Sequence, residues 1–318
     1  MISNNLLQFA AKNYGFEIGL LTFLCSSKSH VYRFYKQGKG YILRLSKRPI
    51  ENVKYFKAEM DWLCYLAEKN MGVPVPLKTN DGEIVISTQE NGENYIITAY
   101  SVVSGKPLEL NDSDTWRKKM FYCWGKEMGT MHYYAKEYKP ANNNLRQEFT
   151  CESEFHENIK SCPFVGKIME GLLTEFMSLP KDKESYGLIH YDMHPGNFYM
   201  DDDKVNVFDF DDSIYGWFAL DIGIALYYAL CGVNYYENVD DLRVNNSANV
   251  IIESFIEGYI QTNYLDDFWV SKIPKFMKLR YLYTFDPSRY LKDRKTIHYI
   301  KNDIFFNGCD LKKLSSTK

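Results

Sequence analysis

Leu188-Ile189-His190-Tyr191-Asp192-Met193-His194-Pro195-Gly196-Asn197-Phe198 is followed, after a short interval, by Val205-Asn206-Val207-Phe208-Asp209-Phe210-Asp211-Asp212. The first stretch contains H-x-D-x-x-x-x-N, and the second is an apolar strand ending in D-F-D. These residue types suit phosphoryl transfer, which asks little covalent work of a protein but demands positioning and charge neutralisation. Asp192 offers a carboxylate to orient a hydroxyl and take its proton. Asn197 offers a neutral amide oxygen, and Asp209 a hard anionic one, the oxygen ligands that Mg2+ takes. His190 reads as a packing and hydrogen-bonding residue that shapes the loop.

Outward from this segment the chain changes character. Towards the N-terminus, Val31–Phe34 and Tyr41–Leu45 read as strands of an antiparallel hairpin around Lys36-Gln37-Gly38-Lys39-Gly40. Helical spacing of Phe56, Met60, Leu63 and Ala67 predicts a helix over Val53–Lys69, ended by Gly72 and Pro74. Glu83–Thr88 and Asn94–Val103 read as two more strands, with hairpin-turn chemistry in the intervening Gln89-Glu90-Asn91-Gly92. Beyond Ser104-Gly105-Lys106-Pro107 helical patterns dominate, beginning with Trp116, Met120, Trp124, Met128 and Met131 behind N-caps at Asp112 to Thr115. A small strand pair is expected over 198–210, turning at Asp201-Asp202-Asp203. The expectation is an α+β chain of two lobes: residues 1–103, a sheet-rich nucleotide-binding lobe, and residues 104–318, a larger, mainly helical catalytic and acceptor-binding lobe.

Composition narrows the function. The 318 residues are 45% hydrophobic and 25% charged, with a formal net charge of -3. That balance fits a globular protein and lacks the basic footprint of a nucleic-acid binder. No apolar run is long enough to span a bilayer, and the first residues carry no signal-peptide pattern. The odd set Cys25, Cys64, Cys123, Cys151, Cys162, Cys231 and Cys309 contains no C-x-x-C. It reads as reduced, buried thiols in the cytoplasm.

The His190–Phe198 and Phe208–Asp212 segments resemble the aminoglycoside phosphotransferase and choline kinase-like superfamily. Trp217-Phe218-Ala219-Leu220-Asp221-Ile222 is similar to that family's post-motif stretch, in which Asp221 would cap a helix and brace the loop. The resemblance runs in order over about residues 25–285 and implies a two-lobed protein-kinase-like fold: an N-terminal antiparallel-sheet lobe and a larger helical C-terminal lobe. It further implies that ATP (or GTP) and Mg2+ bind between the lobes. Arg44 would hold phosphates and Glu59 would pair with it. The backbone of Ser101 and Val103 would meet adenine, Asn197 and Asp209 would ligate the metal, and Asp192 would serve a small-molecule hydroxyl acceptor. There are departures: no G-x-G-x-x-G is present, Arg44 stands where Lys is usual, and Tyr191 stands where small residues are common. From the residues alone, Arg44 alternates away from Leu43 and Leu45, which suits a surface residue as well as a buried ion pair; Glu59, beside Met60, is equally open.

Other readings compete. His190, Asp192 and His194 have the makeup of a zinc set, but no further His or Cys cluster completes one. Asp209-Phe210-Asp211-Asp212-Ser213 resembles the opening of haloacid-dehalogenase-type phosphatases, with Asp209 as nucleophile and Asp211 as general acid, although that opening normally begins its domain. A stress-response-type protein Ser/Thr kinase and a non-catalytic nucleotide-binding pseudokinase also share the residues. Tyr227, Tyr228, Tyr235, Tyr236, Tyr281 and Tyr283 are candidates for an acceptor pocket or for core, and Glu237, Asp240 and Asp241 for a cationic acceptor or a solvated loop.

Overall fold

A computed structural model describes residues 2–108, 114–141, 145–150, 163–231 and 242–284. Tyr235, Tyr236, Glu237, Asp240 and Asp241 lie outside the described residues, as do the expected cap at Asp112 and the cysteines at 151, 162 and 309. The chain divides into two compact units. The first is Met1–Gly105 together with Tyr138–Gln147 and Asn206–Asp211; the second is the remainder. Two later segments, one of them carrying Asp209, thus belong to the first unit.

The first unit opens with α1 (Asn4–Tyr14), started by the Ser3 hydroxyl accepting from the Leu6 amide and stopped by Gly15 at φ 70°. A five-stranded antiparallel sheet follows in the order β1-β2-β3-β5-β4. Its strands are β1 (Thr22–Ser26), β2 (His30–Lys36), β3 (Lys39–Lys47), β4 (Val85–Glu90) and β5 (Glu93–Ser101). Both expected hairpins form on tight turns with left-handed residues, Gln37 and Gly38 in one, Asn91 and Gly92 in the other. The expected helix is α2 (Val53–Glu68). Tyr14, Leu6 and Ala10 of α1 join Phe34, Leu43, Leu45, Ile97 and Ala99 in one apolar cluster on one face of the sheet. Central strand β3 buries Leu43, Arg44 and Leu45 alike, because both of its faces are covered.

The second unit contains α3 (Asp114–Ala135), α4 (Pro163–Met177), β6 (Tyr186–Ile189), β7 (Phe198–Asp201), β8 (Lys204–Val207), β9 (Ile214–Trp217), α5 (Phe218–Cys231), α6 (Leu242–Tyr259) and α7 (Asp267–Tyr283), with the division between units falling inside β8. β7 and β8 are the expected small strand pair, turning at Asp202 with φ 51°. β6 and β9 pair antiparallel, Ile189 opposite Ile214, so the strand entering the His190 loop is anchored along its length. Among the described residues, no helix is long and apolar enough to cross a membrane. Cys25 is exposed and Cys64 and Cys231 are half-buried, which corrects the expectation of uniformly buried thiols; Cys123 is buried.

Helices α3 and α6 meet backbone to backbone. A Cβ placed on Gly125 would lie 1.9 Å from the Phe255 carbonyl oxygen, and one on Gly258 1.9 Å from the Tyr122 carbonyl oxygen. One turn on, a Cβ on Gly129 would lie 2.6 Å from the Tyr259 carbonyl oxygen. Only glycine permits this approach. The contact sets His132 of α3 beside Tyr259 of α6, a pairing the site depends on. Gly125→Ala should therefore destabilise the protein by about 2–3 kcal/mol through overpacking against rigid backbone. Gly171→Ala on α4, where nothing lies within 4 Å, should be neutral or slightly stabilising. Thermal unfolding of the two variants beside the parent checks this.

Candidate phosphoryl-transfer site

The loop His190–Asn197 leaves β6 and enters β7, so a strand holds it at each end. Its opening is shaped by Asp221, in the first turn of α5 and fully buried. Asp221 Oδ2 accepts from the His190 amide at 3.0 Å, and Oδ1 from the Tyr191 amide at 2.8 Å. Asp221 thus caps the loop rather than its own helix, whose first residue lies three positions earlier. Tyr191 sits at φ 70°, left-handed backbone that costs a side-chain-bearing residue on the order of 1 kcal/mol. That conformation explains why a small residue is the easier choice there. His190 is buried, and its Nδ1 accepts from the Asp192 amide at 3.3 Å, the structural role expected of it.

Behind Asp221 lies a buried polar chain. The Asn263 amide donates to the Tyr259 hydroxyl at 2.8 Å, Tyr259 meets His132 Nδ1 at 2.9 Å, and His132 Nε2 meets Asp221 Oδ2 at 3.0 Å. Every bond is satisfied if Tyr259 donates to Nδ1 and Nε2–H donates to Asp221, which fixes a neutral tautomer. Burial drives the His132 pKa below its ordinary value more strongly than Asp221 pulls it up. Asp221 is held below the usual carboxylate range: burial opposes its charge, but bonds from His132 and the loop backbone outweigh it.

Asp192 and Asn197 come together. Asn197 Nδ2 donates to the Asp192 carbonyl at 2.9 Å and approaches Asp192 Oδ2 at 3.4 Å, so its amide oxygen is the atom left for a cation. The Asp192 pKa is raised, first by burial, against the pull of Arg280, His194 and His190. Gly196 donates to His194 Nδ1 at 2.9 Å, and a Cβ at Gly196 would strike that ring at 2.7 Å.

In the first unit, Arg44 Nη2 donates to Glu59 Oε2 at 2.5 Å, with both side chains almost wholly buried. This resolves the ambiguity of the alternation: Arg44 is an interior residue facing α2, and Glu59 lies on the buried face of that helix. The Arg44 guanidinium also lies 5.1 Å from the Phe56 ring centroid and 5.9 Å from that of Tyr100. Asp209, at φ 66°, and Asp211 share a hydrogen bond between their carboxyl groups. Asp209, although exposed, is held above the usual carboxylate range by the protein crowding it and then by the charge of Asp211. Asp211 is held below that range: burial opposes its charge, but Arg44 and the bond from Asp209 prevail, with Lys28 and Arg146 assisting. Such a pair is neutralised by a proton or equally by a cation. Among the described residues no group of three or more His, Cys, Asp or Glu forms a metal cage. The donor set fits Mg2+, which uses one or two protein oxygens and completes its shell with phosphates and water; it does not fit the zinc reading. The Ser101 amide donates to the Val75 carbonyl and the Ser101 hydroxyl accepts from the Val75 amide, both at 2.9 Å. The Ser101 N–H is therefore already engaged.

A family model described as "Phosphotransferase enzyme family" matches residues 25–242. The chain belongs to that family. The chain is also 32% identical, over 91% of its length and 85% of the relative's, to amicoumacin kinase of Bacillus subtilis (strain 168). Among solved structures it resembles an amicoumacin kinase in complex with AMP-PNP, Ca2+ and Ami, with TM-score 0.77, 25% identity, and coverage of 100% of this chain and 96% of that one. A microcompartment-associated aminopropanol kinase shares the fold, with TM-score 0.68, 18% identity and coverage of 99% of both chains. The phosphotransferase thus has the kinase-like α+β fold expected of it.

Sequence reasoning missed several residues in this phosphotransferase. His132, Tyr259 and Asn263 are separated from Asp221 by long stretches of chain and follow no local motif. Arg280, which donates to Asp192, carried a readable signal: it follows Ile273 and Met277 at helical spacing, a cation on an apolar face.

Because His132 is neutral in the folded state, its folded pKa lies below the ordinary 6.5. The unfolded chain takes up a proton that the folded chain refuses, so stability is full above 6.5 and falls as the pH drops below it. His132→Gln should lower stability at pH 8 by about 1–3 kcal/mol and flatten the loss between pH 6.5 and 5. Urea unfolding at several pH values measures both. Glu59→Leu, which strands a buried guanidinium, should cost about 3–5 kcal/mol, and Arg44→Met/Glu59→Leu should recover most of it; a double-mutant cycle reads the coupling.

Proposed function

We propose that the protein transfers the γ-phosphoryl group of ATP (or GTP) to a hydroxyl of a small molecule. The observation that carries this reading is the Asp192–Asn197 pair on a loop braced by Asp221, in a chain whose family is phosphotransferase. The roles follow from the chemistry of each residue. Asp192 orients the acceptor hydroxyl and receives its proton as oxygen attacks the γ-phosphorus and the bond to the β–γ bridging oxygen breaks, releasing the nucleoside diphosphate. Asn197 and Asp209 are the proposed ligands of Mg2+, which neutralises phosphate charge when bound. Arg44, kept in place by Glu59, holds phosphate oxygens; its planar fork does this differently from a lysine. The backbone of Val103 and Ser101 is assigned to the adenine.

The relative that is 32% identical is named for amicoumacin, which makes that compound the first acceptor to test. Amino alcohols, aminoglycosides and sugars follow, since specificity on a shared fold resides in local side chains. Coupled ADP release with Mg-ATP across this panel should find at least one acceptor that raises turnover. On that acceptor Asp192→Ala should lower kcat about 10²–10⁴-fold and leave nucleotide affinity nearly intact. Asp209→Ala should weaken Mg-nucleotide binding as well. Full activity of Asp192→Ala would end the mechanism. Tight Mg-ATP binding without turnover on any acceptor would favour a non-catalytic role, and labelled protein bands from a lysate would favour a protein kinase.

A further inference from the structure

Arg280 is a charge in the second unit that the roles above leave unused. It stands on α7 and is 8% exposed. One terminal nitrogen, Nη2, donates to Asp192 Oδ1 and also to the Tyr228 hydroxyl, the latter at 2.8 Å. The guanidinium lies 4.9 Å from the ring centroid of Tyr283, 5.1 Å from that of Tyr228 and 6.0 Å from that of Tyr191. Three rings therefore fix its plane. Its Nε is buried and has no hydrogen-bond partner among the described residues.

The two oxygens of Asp192 are thereby made unequal. Oδ1 is tied to Arg280. Oδ2 faces Asn197 Nδ2 at 3.4 Å and His194 Nε2 at 3.7 Å. We infer that Arg280 is a positioning residue: it holds the Asp192 carboxylate in one rotamer, Oδ1 turned to α7 and Oδ2 presented to the acceptor hydroxyl. The inference rests on the reading of Asp192 as the hydroxyl-orienting carboxylate. A hydroxyl must then approach from the side of His194, whose ring lies 5.0 Å from that of Tyr228. Tyr228 backs both residues and so belongs to the same device. A removable latch over Asp192 is the rival reading. Burial among three rings opposes it, because opening such a latch would expose an aromatic surface and break two charge-assisted bonds at once.

The test uses the full chain with Mg-ATP, taking amicoumacin as acceptor and ADP release without acceptor as the water-limited baseline. Arg280→Met keeps the apolar stem; Arg280→Lys keeps the charge; Tyr228→Phe keeps the ring and removes the hydroxyl; Asp192→Asn reports on the parent reading. Arg280→Met should lower kcat about 10²-fold, as expected when a reacting group loses its alignment, with the Kd of Mg-ATP within about twofold of the parent. Arg280→Lys should recover part of the loss, and Tyr228→Phe should lower kcat about 3–10-fold in the same direction. A parental kcat in Arg280→Met with only a lowered Tm would reduce Arg280 to a support for α7. A kcat above the parent's would establish the latch. If Arg280→Met does not fold, Arg280→Lys and Tyr228→Phe decide, and parental kcat in both overturns the inference. Loss of activity in Asp192→Asn alone sinks only this inference, whereas parental activity in Asp192→Asn sinks the reading beneath it.

Discussion

The Asp221 carboxylate is fully buried and accepts hydrogen bonds from two consecutive loop amides and from a histidine ring. A buried carboxylate would ordinarily be a liability, and burial does work against its charge. Here the three donors make the ionised form the better one. In return the carboxylate dictates the backbone path at His190 and Tyr191, including the left-handed turn at Tyr191. Asp192 follows at once in sequence, so the direction of its side chain is inherited from that turn. The strand pair beneath the loop, the helix that carries Asp221 and the His132–Tyr259–Asn263 chain behind it all serve one geometry.

The two units meet the electrostatic problem of phosphate chemistry in different ways. In the first, Asp209 and Asp211 are left with more negative charge than they can hold, and Arg44 is committed in part to Glu59. That arrangement invites a divalent cation. In the second, Asp192 already has its counter-ion in Arg280. Its charge is balanced by that guanidinium, while burial pushes its pKa the other way. The contrast follows from the neighbours of each carboxylate and not from the residue type, which is the same in all three.

Much of this was legible in the sequence. Turn chemistry in Lys36-Gln37-Gly38-Lys39-Gly40 and Gln89-Glu90-Asn91-Gly92 announced both hairpins, and the spacing of Phe56, Met60, Leu63 and Ala67 announced α2 to within a residue. The H-x-D-x-x-x-x-N run brought Asp192 and Asn197 together because the four residues of tight loop between them leave little choice. The alternation rule gave no answer at Arg44, since it presumes one wet face and β3 has none. Helix α1 and strand β1 went unread: the first carries Leu6, Ala10 and Tyr14 at helical spacing behind Ser3 and was open to reading, whereas the second is an exposed edge without the alternation that marks a strand. Arg280, His132 and Tyr259 reach the site through tertiary packing, which no local pattern encodes. The cysteine reading failed at Cys25 because apolar neighbours in sequence, Phe23 and Leu24, are themselves exposed on that edge.

The glycine contact between α3 and α6 has a consequence for how this protein can diversify. With main chain touching main chain on both sides, the two helices can neither slide nor rotate past one another, and no larger residue can enter at Gly125 or Gly258 without prising them apart. They form a single inextensible girder. Novelty in what the enzyme accepts must then arise from side chains mounted around that girder, while the girder itself stays closed to experiment by natural variation or by an engineer.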